Sequence, residues 1–292
     1  MTKITLFLMT QKGFCVLESL IQNDFIDLID KVVIGQDVNL ADDFSLKIEQ
    51  LCKKTEINYF YRTEATIIDS GFAIAISWRW LISLTHTRLI VIHDALLPKY
   101  RGFAPLPNQL IKGEKEIGIT ALFATQEYDK GDIITQEKAA VTYPLKIQNA
   151  IEIVSTLYSR AVCKIMYQIR IGQEITGETQ DEKAATYSLW RDEDDYKINW
   201  METAENIVRF IDAVGYPYKG ATTTIDGEII KILEAEVFPD VNIEIRQTGK
   251  VIFIENGFPV VVCGKGLLKI IKLQSKQGES LLPLKKFRTR FV

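Results

Sequence analysis

The chain has little of what metal, disulfide or membrane chemistry requires. Histidine occurs only twice in 292 residues. The four cysteines, Cys15, Cys52, Cys163 and Cys263, are far apart, sit in apolar runs and form no C-x-x-C. Neither a zinc site nor a disulfide framework is indicated, and reduced thiols of a cytoplasmic protein are the expectation. No apolar run approaches transmembrane length, and the opening MTKITLFLMTQKG lacks a cleavage motif, so no membrane association is expected. No G-x-G-x-x-G follows the first apolar run, which gives no support to a bound dinucleotide. A net charge of −3 supplies no overall attraction to nucleic acid or to anionic lipid.

What is present is an ample core: 47% hydrophobic residues against 25% charged. The length suggests two domains. Short apolar runs at 3–8, 32–34, 58–60 and 73–76 read as strands. Between them, Phe14 to Asn23 and Phe44 to Lys54 have helical periodicity, and Met9 to Gly13 reads as a turn. Such alternation implies right-handed crossovers and an α/β domain with a Rossmann-like, mostly parallel sheet. A long helix pattern over 147–171 closes this first domain, which is expected to span 1–178. The polar stretch 172–186 reads as a linker. Beyond it, Ile198, Met201, Ile207 and Ile211 form an amphipathic stripe. Short strand runs with turns at Asp226-Gly227 and Asn256-Gly257 follow, suggesting a smaller OB-like β-barrel over 187–292.

One stretch organises the chain, residues 88–136. An apolar run, Leu89 to Ile92, ends in His93-Asp94, and Leu96-Leu97-Pro98 breaks it. A short helical pattern from Pro105 to Lys112 and a second apolar run, Ile117 to Phe123, lead into Tyr128-Asp129-Lys130-Gly131-Asp132. Titratable groups would thus stand past the carboxyl ends of two sheet strands, where open α/β sheets bind ligands. The string H-x-x-L-L-P-x-Y-R-G, then A-P, G-E, a G-I-T strand and D-x-G-D resembles the signature of the 10-formyltetrahydrofolate-dependent formyltransferases. The I-N-W segment, A-V-G-Y-P-Y-x-G-A, D-G-x-x-I-K-I and G-x-G-x-L-x-I-x-x-L-Q are similar to the carboxyl-terminal domain of the same family. The resemblance covers nearly the whole chain.

The resemblance implies 10-formyltetrahydrofolate as co-substrate, no metal, and catalysis by His93 and Asp129. His93 would take the proton of an attacking amine, with Asp129 raising its basicity. By position, the folate would be lined by Trp80, Leu81 and Ile82, by Phe103, and by Thr125, Gln126, Glu127, Tyr128 and Asp129. Gln11, Lys12, Trp190 and Arg191 are candidates for the acceptor by placement, Lys12 through a phosphate at a helix start. One departure stands out. The family has an asparagine two residues before the histidine, whose amide holds the formyl oxygen, and this chain has Val91 there. Valine cannot donate a hydrogen bond, so protonated His93, a backbone N–H near Leu96, or Asn108 would have to substitute.

The family includes enzymes acting on methionyl-tRNA and enzymes acting on nucleotide-linked amino sugars. Capturing tRNA needs cationic surface. Residues 36–50 hold Asp37, Asp42, Asp43 and Glu49 against Lys47, in the place where the tRNA enzymes carry a basic insertion. Residues 178–197 carry seven acids against Lys183, Arg191 and Lys197, whereas 265–290 hold eight basic residues and one acid, Glu279. The balance points away from nucleic acid. W-R-D-E-D-D-Y-x-I-x-W resembles the segment of the sugar enzymes and implies a dTDP-linked aminodideoxyhexose acceptor, formylated for surface polysaccharide (O-antigen) synthesis, with a homodimer as a common family arrangement. Formylation of methionyl-tRNA, and a non-catalytic folate or nucleotide-sugar binding protein, remain as alternatives.

Overall fold

The structure, a computed structural model, describes residues 2–38, 40, 42–64, 67–84 and 86–292. The chain divides into two compact units. Unit 1 takes in residues 1–106, 116–140 and 149–189, and unit 2 takes in 107–115, 141–148 and 190–292.

Unit 1 is built on a seven-stranded sheet. Its strands are β1 (Ile4–Leu8), β2 (Ile29–Ile34), β3 (Tyr59–Tyr61), β4 (Phe72–Ile76), β5 (Arg88–His93), β7 (Glu116–Phe123) and β8 (Ile133–Ala140), in the order β3-β2-β1-β4-β5-β7-β8. From β3 to β5 every pairing is parallel. All five residues of β1 are buried, which is why it reads as an unbroken apolar run and not as an alternation. The helices α1 (Thr10–Gln22), α2 (Ser45–Lys54) and the part of α4 (Ile147–Arg170) from Asn149 onward belong to the same unit. Along α4, Val154, Tyr158, Ala161, Val162 and Ile165 are buried, and the Tyr158 hydroxyl donates to the Ile92 carbonyl at 3.0 Å, fastening the helix to the end of β5.

Three features of unit 1 depart from the sequence reading. Residues expected as a turn after β1 are instead the first turn of α1. Gly13, which suggested the turn, is there because the helix crowds the strand: a Cβ on it would lie 3.1 Å from Leu8 Cβ. Strand β8 went unrecognised because it is a sheet edge of sequence IITQEKAA with no fully buried position. Finally, β7 runs antiparallel to β5, with Phe123 abreast of Ile90 and Thr120 abreast of His93. The carboxyl end of β7 therefore lies towards the start of β5, opposite to the expected placement. The 124–132 loop must double back by about three residues' length of strand, ~10 Å, to bring Asp129 to His93.

Unit 2 holds a five-stranded antiparallel sheet in the order β10-β11-β14-β13-β12. Its strands are β10 (Ala221–Ile225), β11 (Glu228–Phe238), β12 (Val251–Glu255), β13 (Phe258–Val262) and β14 (Leu267–Ser275). Both expected turns are hairpin turns with two consecutive positive φ values, 50° and 86° at Asp226-Gly227 and 52° and 85° at Asn256-Gly257. Helix α5 (Ala204–Ala213) packs on β11 and is capped by Thr203, whose hydroxyl accepts from Asn206 N–H at 3.2 Å. Ile207 and Ile211 are buried as expected, but Met201 precedes the helix and is exposed. Trp200 anchors the core by stacking near Phe291, ring centroids 5.5 Å apart, while its Nε1 donates to Thr223 Oγ1 at 3.0 Å.

Asp212 sits in the last turn of α5, where the helix dipole disfavours a carboxylate. Burial pushes its pKa up to about 6, opposed by Lys146 and assisted by Glu234. Unfolded, an aspartate titrates near ~3.9. The folded state thus binds the proton more tightly, and this contribution to stability is present below about pH 4 and lost as pH rises through about 6. Asp212→Asn should remove that decline. At pH 7 it should be more stable than wild type by on the order of 1 kcal/mol after solvent screening at a half-buried site. Thermal melts from pH 4 to pH 7.5 measure this, with the two proteins alike near pH 4, diverging as pH rises to about 6 and staying apart above it.

Candidate active site

His93 closes β5, and its ring is almost wholly buried. Its Nε2 lies 2.7 Å from the Tyr100 carbonyl oxygen. A carbonyl only accepts, so this nitrogen carries the proton. Nδ1 then faces Asp129 Oδ1 at 3.5 Å. In the neutral ring that nitrogen presents a lone pair to a carboxylate, and taking up a proton there converts repulsion into an ion pair. The arrangement makes Nδ1 the proton-accepting atom and Asp129 the group that stabilises the resulting imidazolium.

Asp129 is fixed from both ends. Its Oδ2 accepts from Gly102 N–H at 2.8 Å, and its backbone is left-handed, with φ 59°. The loop around it permits little movement. A Cβ on Gly131 would lie 1.7 Å from the Phe123 carbonyl oxygen, and Phe123 N–H donates to the Asp132 carbonyl at 3.0 Å.

Between Tyr100 and Gly102 lies Arg101, with no exposed surface. Its Nη1 and Nη2 donate to the two oxygens of Glu182 at 2.9 and 2.8 Å, and its Nε and Nη2 donate to Gln180 Oε1 at 3.1 and 2.7 Å. The guanidinium holds the Glu182 carboxyl below the usual carboxylate range. A short strand, β6 (Arg101–Gly102), pairs in parallel with β9 (Tyr187–Ser188). The polar stretch 172–186 is therefore tied to unit 1 at Gln180 and Glu182. No sequence signal marks Gln180, and Arg101 is visible only as one letter of the Y-R-G turn.

Some of the residues expected to line a folate stand near one another in the structure. Leu81, Phe103 and Tyr128 are large apolar side chains left exposed, and the rings of Phe103 and Tyr128 stand 6.4 Å apart. Trp80 lies edge-on to Trp78 at 5.2 Å, with the Arg62 guanidinium 4.2 Å from a Trp80 ring. Ile82 packs against the Phe7, Val33, Ala73 and Ala75 cluster. Trp78 Nε1 and Ser77 Oγ are buried without a partner. Such a mixture of exposed apolar faces and unmatched buried donors suits a flat heterocycle with polar edges. In the loop, Thr125 Oγ1 donates to the Glu127 carbonyl at 2.8 Å, Glu127 pairs with Lys130, and Gln126 is exposed.

The acceptor candidates are placed differently from expectation. Lys12 is buried and ion-paired with Asp94, whose other oxygen lies 2.8 Å from the Tyr158 hydroxyl and shares that hydroxyl's one proton with the Ile92 carbonyl. Its charge is committed within the protein and does not stand in a solvated turn, and Gln11 beside it is half-buried. Trp190 and Arg191 belong to unit 2, where Trp190 is exposed. Arg191 Nη2 donates to Asn108 Oδ1 at 2.5 Å and Nη1 to the Asp195 carbonyl at 3.2 Å, while desolvation draws its pKa down. Val91, like Trp78 and Ile82, packs against the buried cluster of Phe7, Val33, Ala73 and Ala75. Among the substitutes for its missing amide, Leu97 N–H is already given to Thr120 Oγ1 at 3.0 Å, and the Asn108 side-chain oxygen accepts from Arg191. Among the described residues no group of three or more His, Cys, Asp and Glu side chains is arranged to hold a metal, and no helix is long and apolar enough to cross a membrane.

The mostly parallel sheet with a histidine–aspartate pair at the end of β5, followed by an antiparallel-sheet domain, defines the class. Residues 61–157 match the model of the formyl transferase domain and residues 191–289 that of the formyl transferase carboxyl-terminal domain. The chain belongs to the formyl transferase family. It is 34% identical over 192 residues to the methionyl-tRNA formyltransferase of Carboxydothermus hydrogenoformans, an alignment covering 65% of this chain and 60% of that relative. The fold is similar to that of the N-formyltransferase from Helicobacter canadensis solved with folinic acid and dTDP-3-aminofucose. That likeness has a TM-score of 0.72 at 18% identity, over 92% of this chain and 99% of that one. HypX from Aquifex aeolicus in complex with tetrahydrofolic acid is similar over 96% of this chain and 45% of its own, with a TM-score of 0.63 at 16% identity.

Arg101→Met should cost about 1–3 kcal/mol, because the buried Gln180 oxygen loses both charged donors while Glu182 merely returns to water. A lowered urea midpoint with an unchanged m-value checks it.

Proposed function

We propose that this protein transfers a formyl group to the amine of a nucleotide-linked amino sugar, a dTDP-linked aminodideoxyhexose by preference. The co-substrate 10-formyltetrahydrofolate supplies the activated one-carbon unit when bound. The observation that carries the reading is the His93–Asp129 pair, 3.5 Å apart, beside exposed Leu81, Phe103 and Tyr128.

The chain's own part is proton handling and orientation. His93 Nδ1 takes the proton that the acceptor nitrogen must shed, and Asp129 holds the imidazolium in place. Both N–H groups of protonated His93 are committed, to the Tyr100 carbonyl and to Asp129, and the proton held at Nδ1 is then passed to the nitrogen from which the formyl group departs, which returns the ring to its neutral state. Exposed aromatic and aliphatic side chains hold the heterocycle and exclude water from one side.

The sugar acceptor is favoured by the way the acidic segments are used. Asp42 pairs with Lys47 at 2.6 Å, Asp43 accepts from Ser45 and Asp37 backbone N–H groups at 3.0 Å each, and Arg79 pairs with Asp37 at 2.8 Å. Lys47, the one lysine of residues 36–50, is thereby committed locally, and the segment offers a polyanion little cationic surface. Formylation of methionyl-tRNA is the second reading, favoured by the activity named for the Carboxydothermus relative.

Incubation with 10-formyltetrahydrofolate and dTDP- or UDP-amino sugars should yield an N-formylated sugar nucleotide by mass spectrometry, with initiator methionyl-tRNA unchanged. Formylated tRNA with every sugar untouched reverses the choice of acceptor. His93→Asn should lower the rate by about 10²–10⁴-fold with the fold retained. Full turnover by that variant would remove His93 from its role.

A further inference from the structure

Gln180 lies in a polar stretch, yet it is buried. Its Oε1 accepts two N–H groups of Arg101, and its Nε2 donates to the carbonyls of Asp129 and Gly131 at 2.8 Å each. A carboxamide has two donor hydrogens and two acceptor lone pairs, and all four are used here. The opposite orientation would set NH₂ against a guanidinium and oxygen against two carbonyls, so one orientation alone is favourable. The two carbonyls it grips bracket the sharpest part of the loop. Asp129 holds a left-handed backbone that most side chains avoid, and Gly131 is pressed against Phe123. Fixing the Asp129 carbonyl fixes the direction of its Cα–Cβ bond, and with it the aim of the carboxylate.

We propose that Gln180 is a positioning residue: it holds the 129–131 turn left-handed so that the Asp129 carboxylate faces His93, and it joins that turn to the buried Arg101. Gln180 acts through Asp129. The proposal rests on the reading of His93 and Asp129 as the proton-transfer pair. Glu182 provides the contrast, since it shares the Arg101 guanidinium and makes no hydrogen bond to the turn.

The test is a double-mutant cycle read by imidazole ¹⁵N NMR on the full chain, whose two histidines keep the spectrum simple. In the otherwise wild-type protein, Asp129→Asn should displace the His93 Nδ1 signal, because the two groups face each other. In a Gln180→Leu background the same change should displace it at least about threefold less, and in a Glu182→Ala background by the full amount. Should Gln180→Leu fail to fold, Gln180→Glu takes its place, keeping the acceptors for Arg101 while losing both donors to the turn. The cycle subtracts the charge this adds. An undiminished displacement in the Gln180 background overturns the proposal. With a competent acceptor, kcat should fall about tenfold or more and the acceptor KM should hold; an unchanged kcat also overturns it. If no acceptor is formylated by the wild type while the cycle still uncouples, the functional reading fails and the positioning role stands.

Discussion

A guanidinium with no access to water must find its partners inside the protein, and Arg101 finds them in Gln180 and Glu182. The three consecutive residues around it each hold one member of the site. The Tyr100 carbonyl takes His93 Nε2–H, the Arg101 side chain takes Gln180 and through it the Asp129 backbone, and Gly102 N–H takes the Asp129 carboxylate. One short strand thus sets the tautomer of the imidazole, the position of the carboxylate facing it and the path of the loop that carries that carboxylate. In so dry a setting the polar groups have no second choice of partner, and that makes the arrangement specific.

The antiparallel course of β7 explains why so much fastening is needed. Had β7 run parallel to β5, a loop at its carboxyl end would meet His93 directly. Because Phe123 stands abreast of Ile90, the 124–132 loop has to return along the sheet, and a free loop of that length would have many other paths. The left-handed Asp129, the crowded Gly131 and the grip of Gln180 remove those alternatives one at a time. The His93–Asp129 approach depends on a local conformation that the loop does not favour by itself and that buried neighbours impose.

Two cations of unit 1 are likewise committed within the protein. Lys12 is bound to Asp94 beneath the Tyr158 hydroxyl, and Arg79 to Asp37. Exposed apolar side chains and a few unmatched donors such as Trp78 Nε1 stand among the residues expected to line a ligand.

Much of this was legible in the linear chain. Apolar runs located β1, β2, β4 and β5, the Asp-Gly and Asn-Gly pairs located two hairpins, the H-x-x-L-L-P-x-Y-R-G string singled out His93, and D-x-G-D singled out Asp129. Those features are local: an apolar run, a turn that demands positive φ and a contiguous motif are properties of neighbouring residues. Strand β8 escaped because an edge strand has no buried face to advertise. The direction of β7, the burial of Lys12 and the role of Gln180 were decided only in three dimensions, because each depends on a partner tens of residues away. The sequence alone singled out one imidazole and one carboxylate as candidates; only the tertiary structure, by burying Arg101 and giving it partners 79 and 81 positions along the chain, decided how the two meet.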